Sequence, residues 1–235
     1  HFSCLGIFGP NSRKFLTFLF GDFFSKENFP FSRGKYLNVL NTKIWFQRLS
    51  FIGELGWEIY IPIKKTNIIF DKINKFSKKF NLTYAGMHAL DILRLEKKFL
   101  HWGHDITPEN NPYEAGLTFA VNFKKDTDFI GRKALERIKV NGFKKKLELF
   151  SLKNNFTPGK PLLLHDEPIF YDGEIVGSTT SSNYSFCYKK SICLAYVKTG
   201  LKNYEDFTLE VEGKKYSLKH EKTALHDPKS IYLRN

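Results

Sequence analysis

The chain has 235 residues, 42% of them hydrophobic and 16% aromatic, enough for one large core or two small ones and incompatible with disorder by composition. No apolar run approaches the roughly 20 residues that cross a bilayer and no secretory signal opens the sequence, so no membrane association is expected and the expected location is the cytoplasm, or the mitochondrial matrix in a eukaryote. The formal net charge of +13 rests on lysines spread along the chain, densest at Lys144-Lys145-Lys146; lacking interleaved aromatics, they read as a solvated surface and not as a nucleic-acid interface.

Residues 2–8 form an apolar run that reads as a strand, and Gly9-Pro10 turns the chain. Ser12 is placed to start a helix carrying Phe15, Leu16, Phe18 and Leu19. The aromatic-rich stretch from Phe23 to Phe31 reads as loop and packing surface, followed by paired strands at Tyr36–Leu40 and Ile44–Phe51. The second strand leads into Arg48–Pro62, which reads as strand, tight turn, strand, with Gly53 and Gly56 supplying positive φ. After the turn Trp57, Ile59 and Ile61 alternate with Glu58 and Tyr60, the period-two pattern of a half-buried strand. One face is apolar; the other sets a carboxylate beside a phenol, with Phe51 arriving from the preceding strand. A carboxylate is acceptor-only and can take two N–H groups side by side from a planar ligand. The same pattern also suits the wet face of an ordinary hairpin.

Ile68–Phe80 has helical spacing at Ile69, Ile73 and Phe76, with Lys72, Lys75, Lys78 and Lys79 on the wet side. Ala85–Phe99 is apolar around most of its circumference and reads as a largely buried helix, with His88, Asp91 and Arg94 forming a polar stripe. Asp91 and Arg94 are spaced to pair as a structural ion pair, and His88 reads as a core residue. Asn111-Pro112 suits the start of another helix. Near Asn141-Gly142 helical signals give way to short strands at Leu147–Leu152, Pro168–Tyr171, Glu174–Ser178, Ser191–Val197, Phe207–Val211 and Tyr216–Lys219, with Asp172-Gly173 as a hairpin turn. This gives an α+β chain with domains over 1–142 and 143–235. Cys4, Cys187 and Cys193 fit neither a disulfide framework nor a zinc spacing; they read as buried thiols, and no metal site is expected.

The run Arg48-x-Ser50-Phe51-x-Gly53-Glu54-x-Gly56-Trp57-Glu58 resembles a motif of the aminomethyltransferase family, which includes the glycine cleavage T-protein and the folate domains of sarcosine and dimethylglycine dehydrogenases. The resemblance continues through Ala85-Gly86, Leu93-Arg94-Leu95-Glu96-Lys97, Trp102-Gly103-His104-Asp105-Ile106, Pro112-x-Glu114-Ala115-Gly116-Leu117, Phe129-Ile130-Gly131-Arg132 and Leu225-x-Asp227-Pro228, and it leans toward the dehydrogenase branch. It implies a folate-binding core that lacks its N-terminal part, followed by a small β-barrel. It also implies that Glu58 contacts the pterin ring of tetrahydrofolate, with Phe51, Tyr60, Phe99 and Trp102 around it. Phe51 and Phe99 stand where the family often has tyrosine, so they pack without a hydroxyl, and Leu90 stands where T-proteins carry an arginine for the folate tail. The family's key aspartate lies upstream of residue 1, so no catalytic residue is assigned in this chain.

The chain is thus expected to be the C-terminal piece of a flavoprotein whose upstream domain holds FAD and oxidises an N-methyl amine, while this piece lets folate, including polyglutamylated forms drawn by the lysines, accept the carbon as 5,10-methylenetetrahydrofolate. The alternatives implied are a stand-alone T-protein-like aminomethyltransferase or folate-dependent demethylase, and a non-catalytic folate-binding assembly factor. The K-G-C-Y-x-G-Q-E motif of the iron–sulfur assembly relatives is absent from the sequence.

Overall fold

A computed structural model describes residues 1–154 and 157–235. The chain divides into two compact units, one of residues 1–97 with 226–235 and one of residues 98–225. Among the described residues no helix is long and apolar enough to cross a membrane.

The first unit opens with β1 (Phe2–Phe8) and α1 (Ser12–Phe20), then β2 (Gly34–Val39), β3 (Thr42–Gln47) and β4 (Gly56–Pro62). It continues with α2 (Thr66–Lys75) and α3 (Met87–Glu96). The strands form an antiparallel four-stranded sheet in the order β1-β4-β3-β2. One face is apolar because alternate residues are: Ile44, Phe46, Trp57, Ile59 and Ile61 are all fully buried against Phe15 and Leu16 of α1 and Ile69 of α2. Phe24 and Phe29, from the aromatic loop, complete this core and stack at 5.7 Å. Each such side chain contributes roughly 1.5–3 kcal/mol of burial.

Several sequence expectations are corrected here. β3 ends at Gln47 and β4 begins at Gly56, so residues 48–55 are a wide connection and not strand and tight turn. Arg48 stays hydrogen-bonded on the β2 side, its amide donating to the Arg33 carbonyl (2.8 Å) and its carbonyl accepting from the Ser32 amide (3.1 Å), while its buried guanidinium donates to the carbonyls of Phe29 (2.8 Å), Arg234 (3.0 Å) and Asn235. Gly53 does adopt positive φ (+81°), but Gly56 does not. Gly56 is required for space: a Cβ there would meet the carbonyl oxygen of Ile7 at 2.8 Å and the Phe8 ring at 2.2 Å. The helix expected over Ala85–Phe99 runs only from Met87 to Glu96, because Gly86 is extended and Lys98 turns to φ +57°. Its first turn is exposed, His88 included, and only Arg94, Leu95 and Glu96 are buried. α2 stops at Lys75, short of the expected Phe80, and a separate 3₁₀ turn covers Lys78–Phe80. Of the cysteines only Cys193 is buried; Cys4 lies on the outer side of the sheet and Cys187 in the turn after Ser185.

The second unit contains α4 (Arg132–Asn141) and the strands β5 (Lys145–Leu152), β6 (Pro168–Tyr171), β7 (Glu174–Ser185), β8 (Lys190–Lys198), β9 (Thr208–Val211) and β10 (Lys214–Glu221). The strands close into an antiparallel barrel, β10-β5-β8-β7-β6-β9. Asp172 and Gly173, both at positive φ, make the β6–β7 hairpin. Asn111-Pro112 starts a capped turn instead of a helix: Asn111 Oδ1 accepts from the amides of Tyr113 (3.0 Å) and Glu114 (3.1 Å). The short helix α5 (Ile231–Arg234) belongs to the first unit.

Among the barrel's glycines, Gly177 of β7 leaves the least room for a side chain. A Cβ there would lie 1.8 Å from the Tyr196 carbonyl oxygen and 3.0 Å from Val197 Cα, so alanine must push β7 off β8. Gly177→Ala is expected to cost about 1–3 kcal/mol, measured as a lower urea midpoint at constant m; an unchanged midpoint would show that the strands accommodate the methyl freely.

Candidate functional site

The outer face of the first unit's sheet carries two cross-strand rows. Register places Gly6, Glu58, Gln47 and Gly34 side by side in one, and Cys4, Tyr60, Trp45 and Tyr36 in the next. The two rows share a face because each residue of one lies two steps along its strand from its counterpart in the other. Glu58 and Tyr60 are both half-buried, and the Tyr60 hydroxyl donates to Glu58 Oε2 at 2.7 Å. That hydrogen bond, reinforced by burial, pushes the phenol well above its ordinary range, so it remains a donor at neutral pH. The Cys4 thiol is also raised, by burial first and by the Glu58 charge second. Trp45 Nε1 donates to Gln47 Oε1 at 3.3 Å, and the Trp45 ring meets Tyr36 edge-on at 4.9 Å.

Most of the motif that leads to Glu58 is structural. Arg48 is 1% exposed and stacks 5.6 Å from the Trp57 ring; burial pulls its pKa down to about 10, which still leaves it charged at neutral pH. Gly53 gives room to the stem of Lys97, against which a Cβ would sit at 2.7 Å. The Lys97 ammonium, itself buried, pairs with Asp227 Oδ2 at 3.3 Å. Burial opposes ionisation of Asp227, but the Ile231 amide and Lys97 outweigh it and hold the carboxyl below the usual carboxylate range. Glu54 Oε1 lies 2.9 Å from His226 Nε2, an ion-pair distance without hydrogen-bond alignment. On α3, Arg94 Nε (2.8 Å) and Nη2 (2.6 Å) both reach Asp91 Oδ1.

The remaining sequence-predicted residues are dispersed. Phe51 is half-buried in the 48–55 connection, and it is Gln47, not Phe51, that stands opposite Glu58. Phe99 and Trp102 belong to the second unit, where Trp102 is 65% exposed and bridges to Ile106. Their loop is anchored by Asp105, fully buried, which accepts from the His101 amide (2.8 Å) and the Thr180 hydroxyl (2.6 Å). The first unit also holds a cavity of about 700 Å³ along β1 and the start of α3. It shares Cys4, Gly6 and Phe8 with the outer face of the sheet and is otherwise largely apolar, with Leu90 in its wall. Sequence reasoning missed Gln47 and Trp45, whose only signal is alternation on β3. It also missed Glu148, buried in the second unit. Burial raises that carboxyl, but Lys146 (2.7 Å) and His220 (3.2 Å) more than compensate and hold it low.

Residues 1–125 match the family model described as the GCVT N-terminal domain, and residues 146–227 match the glycine cleavage T-protein C-terminal barrel domain. The chain belongs to the glycine cleavage T-protein family. Within that family it is 36% identical over 213 residues to the human mitochondrial dimethylglycine dehydrogenase, covering 90% of this chain and 24% of that protein. It is 34% identical over 193 residues to the human mitochondrial sarcosine dehydrogenase, covering 82% and 20%. The chain therefore spans between a fifth and a quarter of the length of these two dehydrogenases. The crystal structure of the glycine cleavage system aminomethyltransferase T from Bartonella henselae superimposes with a TM-score of 0.81 at 22% identity, over 96% of this chain and 60% of that one. That likeness fixes the T-protein fold, barrel included.

Proposed function

We propose that this T-protein-family chain is the tetrahydrofolate-binding, one-carbon-accepting region of a longer flavoprotein of the sarcosine or dimethylglycine dehydrogenase type, with folate held by residues 1–142 and residues 143–235 forming the barrel domain. The observation that carries the reading is Glu58. Its carboxylate stands on a rigid strand, is oriented by Tyr60 through one oxygen, and keeps acceptor capacity for the paired N–H groups of a pterin. The kinship to two dehydrogenases of N-methylated glycines supports the choice of amine. Bound tetrahydrofolate would supply the nucleophilic nitrogen that takes the carbon. Glu58 and Tyr60 would orient its ring, Phe51 would give apolar surface, and the cavity beside β1 would take the part of the ligand beyond the pterin. Among the described residues its lining holds Leu90 and no cationic side chain, so a tail carboxylate would find polar donors such as Asn81 and Thr83 there but no ion-pair partner. FAD and the amine would be bound by the rest of the protein.

In the full-length protein Glu58→Gln is expected to weaken 5-formyltetrahydrofolate by about 1.5–3 kcal/mol, the worth of a charge-assisted hydrogen bond. Amine oxidation, followed by dye reduction, should persist while the carbon appears as formaldehyde instead of methylenetetrahydrofolate. Unchanged affinity together with an unchanged product ratio would remove Glu58 from the site and the reading with it.

A further inference from the structure

The row that contains Glu58 is built to read more than a pair of N–H groups. Gln47 of β3 is its direct cross-strand neighbour, so the two side chains rise about 5 Å apart on one face. Trp45 Nε1 donates to Gln47 Oε1 at 3.3 Å, which fixes the carboxamide with its N–H₂ group turned away from the indole. Among the described residues that N–H₂ donates to nothing. Tyr60 fixes the neighbouring carboxylate in the same manner through Oε2. The row therefore presents acceptor, acceptor, donor in sequence, each held by an aromatic residue of the adjacent row.

The ends of the row are glycines, and each is covered by a ring. A Cβ at Gly6 would lie 2.3 Å from the Phe8 ring, and one at Gly34 would lie 2.1 Å from the Trp45 ring. Side chains at these positions would displace the rings, so the polar pair sits between two aromatic walls. Such a slot matches a flat heterocycle whose edge runs donor, donor, acceptor.

We propose that Gln47 is a specificity-determining residue: its carboxamide donates to the ring carbonyl of a 2-amino-4-oxo-pyrimidine edge while Glu58 accepts from the ring N–H and the amino group. The inference rests on the folate reading and adds which folates are accepted. A 4-amino ring reverses the last two positions of that edge and leaves Gln47 facing another donor, and sites built around a buried hydrogen-bonding group reject such a mismatch strongly.

Folic acid and aminopterin differ in this one group, oxo against amino at position 4. In calorimetric titrations of the full-length protein, folic acid is expected to bind at least tenfold more tightly than aminopterin. Gln47→Leu should bring the two within about threefold, and Gln47→Glu, which can accept from the 4-amino group, should reverse the order. A role confined to stability would shift the melting temperature of both variants and leave the ratio alone. Equal affinities in the unmodified protein, or an unchanged ratio in either folded variant, overturns the assignment of Gln47 while leaving the folate reading standing. If the unmodified protein binds neither these ligands nor 5-formyltetrahydrofolate, the folate reading itself falls, and the role of Gln47 with it.

Discussion

Asp91→Ala is expected to cost about 3–5 kcal/mol of stability, because it takes a carboxylate partner from a guanidinium held in the interior. Arg94 is 1% exposed and directs two nitrogens at Asp91 Oδ1, whereas the Asp91 side chain keeps 33% of its exposure. The asymmetry makes a sharper statement than loss of a salt bridge. Removing the carboxylate leaves a buried charge, while Arg94→Met removes that charge, fills much of its volume and leaves Asp91 in contact with water. The methionine variant should therefore lose the smaller amount. Urea unfolding of both variants decides it, with a drop in melting temperature of roughly 6–20 °C accompanying the alanine change. Folate affinity in the folded fraction should be unaltered. A stable Asp91→Ala protein, or one that folds but cannot bind folate, would take the pair out of the scaffold and put it in the binding site.

Trp57→Ala is expected to lose about 3–5 kcal/mol, the range for truncating a large buried aromatic. Trp57 is fully buried, meets Phe24 and Phe29 edge-on at 5.6 and 5.9 Å, and has the guanidinium carbons of Arg13 and Arg48 at 5.2 and 5.6 Å from its ring. It also precedes Glu58 on β4, so a cavity beneath the strand loosens the carboxylate above it. Trp57→Phe should cost well under half as much. The indole nitrogen is buried and without a hydrogen-bond acceptor, and phenylalanine removes that orphan donor, which offsets part of the lost packing. Chemical denaturation of the two variants, read beside folate titration, tests both halves. A phenylalanine variant as unstable as alanine would mean that the nitrogen is satisfied in solution.

The barrel was legible in the sequence because its signals are local. Pro168–Tyr171 is bounded by a proline and by Asp172-Gly173, and the strand found there has those limits. The Glu58 and Tyr60 face was legible for the same reason, since alternation along one strand needs no knowledge of its neighbours. What escaped was register. Taking Arg48–Phe51 as strand and the glycines as a tight turn carries Phe51 to the position opposite Glu58. The connection is wider: β3 and β4 part after Gln47, Arg48 keeps its backbone bonds to Arg33 and Ser32 and buries its guanidinium on three carbonyls, and Gln47 comes to that position instead. The overestimated burial of α3 has a related origin. An apolar circumference shows that a helix has something to cover, and Met87, Leu90 and Leu93 instead line an open cavity. Arg48, Glu54 and Lys97 stand in the runs that carry the family resemblance, and each meets a residue of 226–235, a proximity that spacing along the chain does not encode.

That return of the chain bears on how the protein comes apart. Residues 226–235 grip the first unit through Asp227 on Lys97, His226 beside Glu54 and the Arg234 carbonyl on Arg48. A peptide bond cut anywhere in 98–225 leaves these clasps untouched, so the two remnants of the first unit stay locked together without a covalent link. A fragment that stops at residue 142 fares differently. It keeps every residue of the Glu58 face but surrenders Asp227 from the buried Lys97 ammonium and two of the three carbonyls from the buried Arg48 guanidinium, and the binding face would then rest on a scaffold whose last ten residues had carried its closure.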